Sequence, residues 1–168
     1  MRDRAILLLL ARLAFRAGDI VQLRLSDIDW KRAKIQVSGK GRRQAQMPLT
    51  QEVGDALVVY LQDGRPPTDT DVLFIRSRAP FRAFTSHSAV SVIVAQAMRR
   101  AGINRQRRGA AHVLRHSVAT AMLRQGASLQ DIADILRHRS IETTRIYAKV
   151  DVTTLQQIAQ PWPEVQPC

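Results

Sequence analysis

His112-Val113-Leu114-Arg115-His116, then Leu136-Arg137-His138, then Tyr147 nine residues later, bring imidazoles and guanidiniums upstream of one phenol. On a helix, positions three apart share a face, so His112 and Arg115 can meet one phosphate together. A tyrosine hydroxyl has a pKa of about 10 and is a poor nucleophile unless cations and a base assist it. The chain has two tyrosines, and Tyr60 lies in an apolar run that reads as core. His112 and His116 also have metal-ligand spacing, but position 113 is Val, where a zinc hydrolase needs Glu, and His116 reads as a structural hydrogen-bonding residue. Further cations lie upstream. Arg16 precedes Asp19 by three residues, so the carboxylate can fix a guanidinium whose planar fork grips two phosphate oxygens. An ordinary surface ion pair is the competing reading. Lys40 sits between Gly39 and Gly41 at a turn, without P-loop spacing. It reads either as a solvated turn lysine or as an ammonium that protonates a leaving oxygen. His87, between Ser86 and Ser88, reads as a helix-start residue without a role.

The elements that must hold these groups are mostly helical. Residues 2–14 are apolar on most sides and predict a central helix, followed by a second from Arg16 to Leu25. Asp27 and Asp29 mark a turn. Lys34-Ile35-Gln36-Val37 alternates as a strand, and Gln44 to Leu49 returns antiparallel to it, with a basic tip of Lys40, Arg42 and Arg43. Thr50 is positioned to cap a helix to about Leu61, and Asp63-Gly64-Arg65-Pro66-Pro67 ends it. Val72 to Ile75 is extended. A helix starting at Thr85 or Ser86 runs to Ala101 and stops at Gly102. Asn104 to Gly109 is a basic loop carrying Arg105, Arg107 and Arg108. Helices follow from Ala110 to Gln125, from Leu129 to Leu136 behind a Ser128–Asp131 capping pair, and from Ile141 to Tyr147 behind Ser140. Val152 to Ala159 reads as an amphipathic turn or two before Pro161-Trp162-Pro163. The fold class is mainly α with a small antiparallel β-sheet.

The 168 residues suffice for one domain with a core. The formal net charge is +12, with +7 in residues 1–50, +1 in 51–100, +6 in 101–150 and −2 beyond. Charge is concentrated where the candidate site residues lie. It favours a polyanionic partner, nucleic acid before an anionic membrane, over a merely solvated basic surface. Cys168 is the single cysteine, so one chain builds no disulfide or Cys-based metal site, which fits a reducing cytoplasm. Leu7-Leu8-Leu9-Leu10-Ala11 is too short to span a bilayer and passes directly into Arg12, without a cleavage-like segment.

Five boxes in order now carry a resemblance: Arg16 in Leu13-Ala14-Phe15-Arg16-Ala17-Gly18-Asp19, Lys40 with Met47-Pro48-Leu49 after it, His112-Val113-Leu114-Arg115-His116 with Ala119-Thr120, Leu136-Arg137-His138, and Thr143-Thr144-Arg145-Ile146-Tyr147. The chain resembles the catalytic domain of tyrosine recombinases, the group of phage integrases and Xer-type recombinases, from about Arg2 to Val150. Ala14-Phe15 stands where Gly-Leu is common, and Asp19 where Glu is common.

The resemblance implies the DNA breaking-rejoining catalytic-domain fold over residues 1–150, and site-specific recombination through a 3′-phosphotyrosine. It assigns Tyr147 as nucleophile, Arg16 and Arg115 to the non-bridging oxygens, His112 as general base and then acid, Lys40 as proton donor to the leaving 5′-oxygen, His138 as hydrogen-bond donor to the phosphate, and Asp19 as support behind them. No metal and no cofactor are implied. Arg42, Arg43, Arg105, Arg107, Arg108, Arg137 and Arg139 are the expected DNA contacts. The implied partner is a double-stranded DNA recombination site, bound by a homo-tetramer that is monomeric when free, in the cytoplasm and away from membranes. Residues 151–168 form a tail that packs either into a neighbour or back on its own domain. The helical DNA-clamping domain that usually precedes this fold is expected to be absent. The competing readings are a non-catalytic or truncated DNA-binding fragment, a type IB topoisomerase-like enzyme, and a basic structural or RNA-binding protein.

Overall fold

A computed structural model describes residues 1–38, 44–103, 109–138 and 140–148. Helix α1 (Arg2–Arg12) is the central post. Its Ala5, Ile6, Leu9 and Leu10 are fully buried, and it packs on α3 (Gln51–Asp63), α4 (His87–Arg100) and α5 (Ala110–Arg124). Each such leucine or isoleucine contributes about 1.5–3 kcal/mol over leaving it in water. Tyr60 is core, as expected: its ring stacks on Phe74 at 5.4 Å and its hydroxyl accepts from the Ile75 N–H at 3.2 Å.

Helix α2 (Ala17–Gln22) is shorter than its apolar pattern suggests. The chain becomes extended at Leu23 because it pairs there with the expected extended segment: Leu73 N–H donates to Leu23 O and Leu25 N–H to Asp71 O, both at 2.8 Å. A turn of 3₁₀-helix at Leu25–Asp27 leads into β1 (Ile28–Asp29), a strand too short to show periodicity. β1 pairs with β2 (Lys34–Ser38), and β2 with β3 (Gln44–Pro48), all antiparallel. Ile35, Val37 and Met47 face the core, so register is set by burial of one face.

Helix α6 (Leu129–Ile135) begins with the expected capping box: Ser128 Oγ accepts from the Asp131 N–H, and the Asp131 carboxylate accepts from the Ser128 N–H, each at 3.1 Å. The segment expected as one helix from Ile141 is a 3₁₀ turn (Ile141–Thr143) followed by α7 (Arg145–Ala148). Thr50 precedes α3 but its side chain makes no capping hydrogen bond. The tail from residue 151 lies outside the described residues, and no described helix is long and apolar enough to cross a membrane. Ala14, Ala119, Ile132, Leu136 and Tyr147 form a second, smaller apolar cluster beside the main core.

Candidate active site

Three stretches distant in sequence meet at this second cluster: the α1–α2 junction, the start of α5, and the chain from the end of α6 to α7. Ala14 turns the chain at φ 50°, a left-handed conformation unusual for a residue with a Cβ. The turn points its carbonyl at Arg115, whose Nη1 donates to it while Nη2 donates to Leu136 O. Arg16 donates from Nη2 into the same connection, to Leu136 O at 3.1 Å and Arg137 O at 2.8 Å. Two guanidiniums from opposite ends of the chain are thus gripped by one short piece of backbone.

Arg115 is 3% exposed, and its pKa is pushed down to about 10 by burial and by the nearby charges of Arg16 and Arg137. Burial also lowers Arg16, and Arg137 adds to that. Both remain protonated near neutrality. Asp19 is the carboxylate among these three guanidiniums, so the cluster favours an incoming anion.

His112 is exposed on the first turn of α5, one turn from Arg115, the shared face expected of that spacing. Its ring meets His116 edge-on at 4.5 Å, and His116 packs on Tyr147 at 5.1 Å. His138 lies nearly parallel to Tyr147 at 6.4 Å. Its pKa is lowered to about 4 by burial and by Arg115, Arg16 and the other two histidines, so it is neutral at pH 7. His138 Nδ1 lies 2.8 Å from the hydroxyl oxygen of the fully buried Thr144. Tyr147 is 4% exposed, and burial raises its pKa, partly opposed by Arg115. The free protein therefore keeps the phenol protonated. Arg16, His112, Arg115, His138 and Tyr147 are thus brought together, whereas Lys40 lies outside the described residues.

Two expectations change. Asp19 does not hold the Arg16 guanidinium: its Oδ2 accepts from the Arg16 backbone N–H at 2.8 Å and pairs with Arg137 Nη2 at 2.5 Å, because the short side chain reaches the helix start more readily than the outgoing guanidinium. Arg137 is not an exposed DNA contact; it is folded inward on Asp19, its guanidinium 5.3 Å from the Phe15 ring centre. Arg42, Arg43, Arg105, Arg107, Arg108 and Arg139 lie outside the described residues. Sequence reasoning missed Thr144 and the packing of His116. Thr144 lies three residues before Tyr147 and His116 one turn beyond His112, signals that become readable only once α5 and α7 are known to meet. Among the described residues, no group of three or more His, Cys, Asp or Glu side chains is arranged to hold a metal ion.

A family model described as the phage integrase family matches residues 1–154. The integrase/recombinase y4rA of Sinorhizobium fredii is 44% identical over 162 residues, covering 96% of this chain and 39% of that protein. The same organism's integrase/recombinase y4gC is 39% identical over 160 residues, covering 95% of this chain and 82% of its own length. Among solved structures, the XerH site-specific recombinase bound to a palindromic difH substrate, a post-cleavage complex, superposes with a TM-score of 0.78 at 27% identity over 97% of this chain and 46% of that one. The chain thus spans less than half of y4rA and of XerH. A match across nearly the whole chain, and a relative covered over most of its length, agree with the arginine–histidine–tyrosine geometry: the chain belongs to the phage integrase family.

Proposed function

We propose that this chain cuts and rejoins double-stranded DNA at specific sites through a 3′-phosphotyrosine. The observation that carries the proposal is the convergence of Arg16, Arg115 and three histidines around Tyr147. The Tyr147 hydroxyl oxygen attacks the phosphorus, its proton passes to His112, the P–O5′ bond breaks, and the 5′-oxygen leaves with a proton from Lys40. Arg16 and Arg115 stabilise the charge that grows on the non-bridging oxygens. His138 is neutral; in the tautomer whose Nδ1 accepts from the Thr144 hydroxyl, the ring carries its proton on Nε2, and this reading aims that N–H at the phosphate. Rejoining runs the steps in reverse with another 5′-hydroxyl, so the phosphotyrosine conserves the bond energy.

XerH was solved on a DNA substrate after cleavage, and the likeness in fold supports a duplex DNA partner here. This reading assigns the catalytic domain to residues 1–150 and implies a tetramer on DNA, with the tail from residue 151 packing either into a neighbour or back on its own domain. The setting is the cytoplasm. In a suicide substrate nicked near the cleavage site, wild type should give a covalent protein–DNA band on a denaturing gel. Tyr147→Phe should keep DNA binding and lose that band, and a band surviving in the variant would sink the assignment. Plasmid relaxation by single protomers, with no paired site, would favour the topoisomerase-like reading instead.

A further inference from the structure

Arg137 breaks two local rules at once. It follows α6 in a left-handed conformation, φ 53°, inside a helix-ending motif in which His138 N–H donates to Ala133 O at 2.9 Å and Arg137 N–H to Asp134 O at 3.0 Å. Glycine takes this position without a Cβ penalty. The Arg137 side chain is also only 9% exposed, and its Nε and Nη1 are buried without a hydrogen-bond partner among the described residues. A glycine would remove both costs. Costs collected on one side chain mark a place where something else is gained.

The gain is mechanical. Arg137 Nη2 pairs with Asp19, whose own side chain is 7% exposed, and Asp19 in turn holds the backbone N–H of Arg16. The guanidinium also lies over Phe15, the residue before Arg16. The first turn of α2 is thereby tied to the connection leaving α6. That connection supplies the carbonyls of Leu136 and Arg137 that orient Arg16, and the Leu136 carbonyl that orients Arg115.

We propose that Arg137 is a positioning residue for phosphoryl transfer: its buried ion pair with Asp19 locks the α6–α7 connection onto α2, so that Arg16 and Arg115 are set for a DNA phosphate before it arrives. The reaction it serves rests on the recombinase reading above; the positioning rests on the contacts alone.

The test uses the full chain. Arg137→Gly removes the side chain and relieves the backbone. It should leave DNA affinity unchanged while slowing single-turnover cleavage of the suicide substrate by about tenfold or more. Asp19→Asn should slow it similarly, and the double variant should be no slower than either single one, as expected for two residues acting as one unit. Cleavage by Arg137→Gly within about twofold of wild type, or additive effects in the double variant, would overturn the proposal. Should the glycine variant fail to fold, Arg137→Gln keeps part of the aliphatic stem but loses the charge and the reach to Asp19, and is held to the same outcomes. Side-chain NMR of the DNA-free protein separates this inference from the function. The guanidinium N–H signals of Arg16 and Arg115 should be slowed in exchange in wild type and averaged in Arg137→Gly; unchanged signals would refute the positioning. If wild type never forms the covalent band, the recombinase reading fails and this NMR comparison alone decides the role of Arg137.

Discussion

Tyr147 is held in the free protein as a packing residue, in contact with His116 and set among Ala14, Ala119, Ile132 and Leu136. Its neighbours titrate abnormally for the same reason. His138 has an ordinary pKa of about 6.5 but one of about 4 in the fold, and His116 is shifted down too. Between those two values the unfolded chain takes up a proton that folded His138 refuses. Its contribution to stability is therefore complete above pH 6.5 and is lost as pH falls through about 4. The thermal midpoint should fall between pH 6.5 and 4.5, before most carboxylates titrate, and His138→Asn should flatten that decline; a midpoint flat over this range would contradict the shift. His112, Arg115, His138 and Tyr147 were legible as candidates, by residue type and spacing, and the structure brings them together. The acceptors that orient the arginines were not, because the carbonyls of Ala14, Leu136 and Arg137 leave no signature in side-chain identity.

At the scale of elements, helix starts were the clearest signals. Ser128 and Ser140 both cap as expected, since a side-chain oxygen beside free N–H groups is a local arrangement. The end of α2 and the strand β1 were obscured because pairing with Asp71 and Leu73, or with Lys34 and Ile35, decided them from a distance. Helix α6 leads directly into the backbone that both arginines grip, so its N-terminal cap bears on the site. Ser128→Ala should cost about 1 kcal/mol in denaturant unfolding. Hydrogen exchange in that variant should quicken over residues 129–138 while α1 stays protected; uniform quickening across α1 would show that α6 is not separable from the main core.

Over the whole molecule, the count of 26 lysines and arginines overstates what faces a ligand. Arg65 is spent on the carbonyls of Thr70, Val72 and Leu73, while Arg12 pairs with Glu52 and Arg24 with Asp71. Salt dependence of DNA binding should separate the two uses of arginine. Arg107→Ala should reduce the slope of log Kd against log salt by about 1. Arg65→Ala should lower the melting temperature and leave the slope alone. Equal slopes for wild type and Arg107→Ala would remove that loop from the DNA interface.

The burial of Tyr147 has a further consequence for covalent labelling. Tyr60 is fully buried and Tyr147 is 4% exposed, and the chain has no other tyrosine. A phenol-selective reagent such as a nitrating agent should therefore mark the intact free protein slowly at both rings. Any condition that draws the Tyr147 ring out should add a single modification there, so a mass spectrum can count molecules with that phenol exposed without a DNA cut.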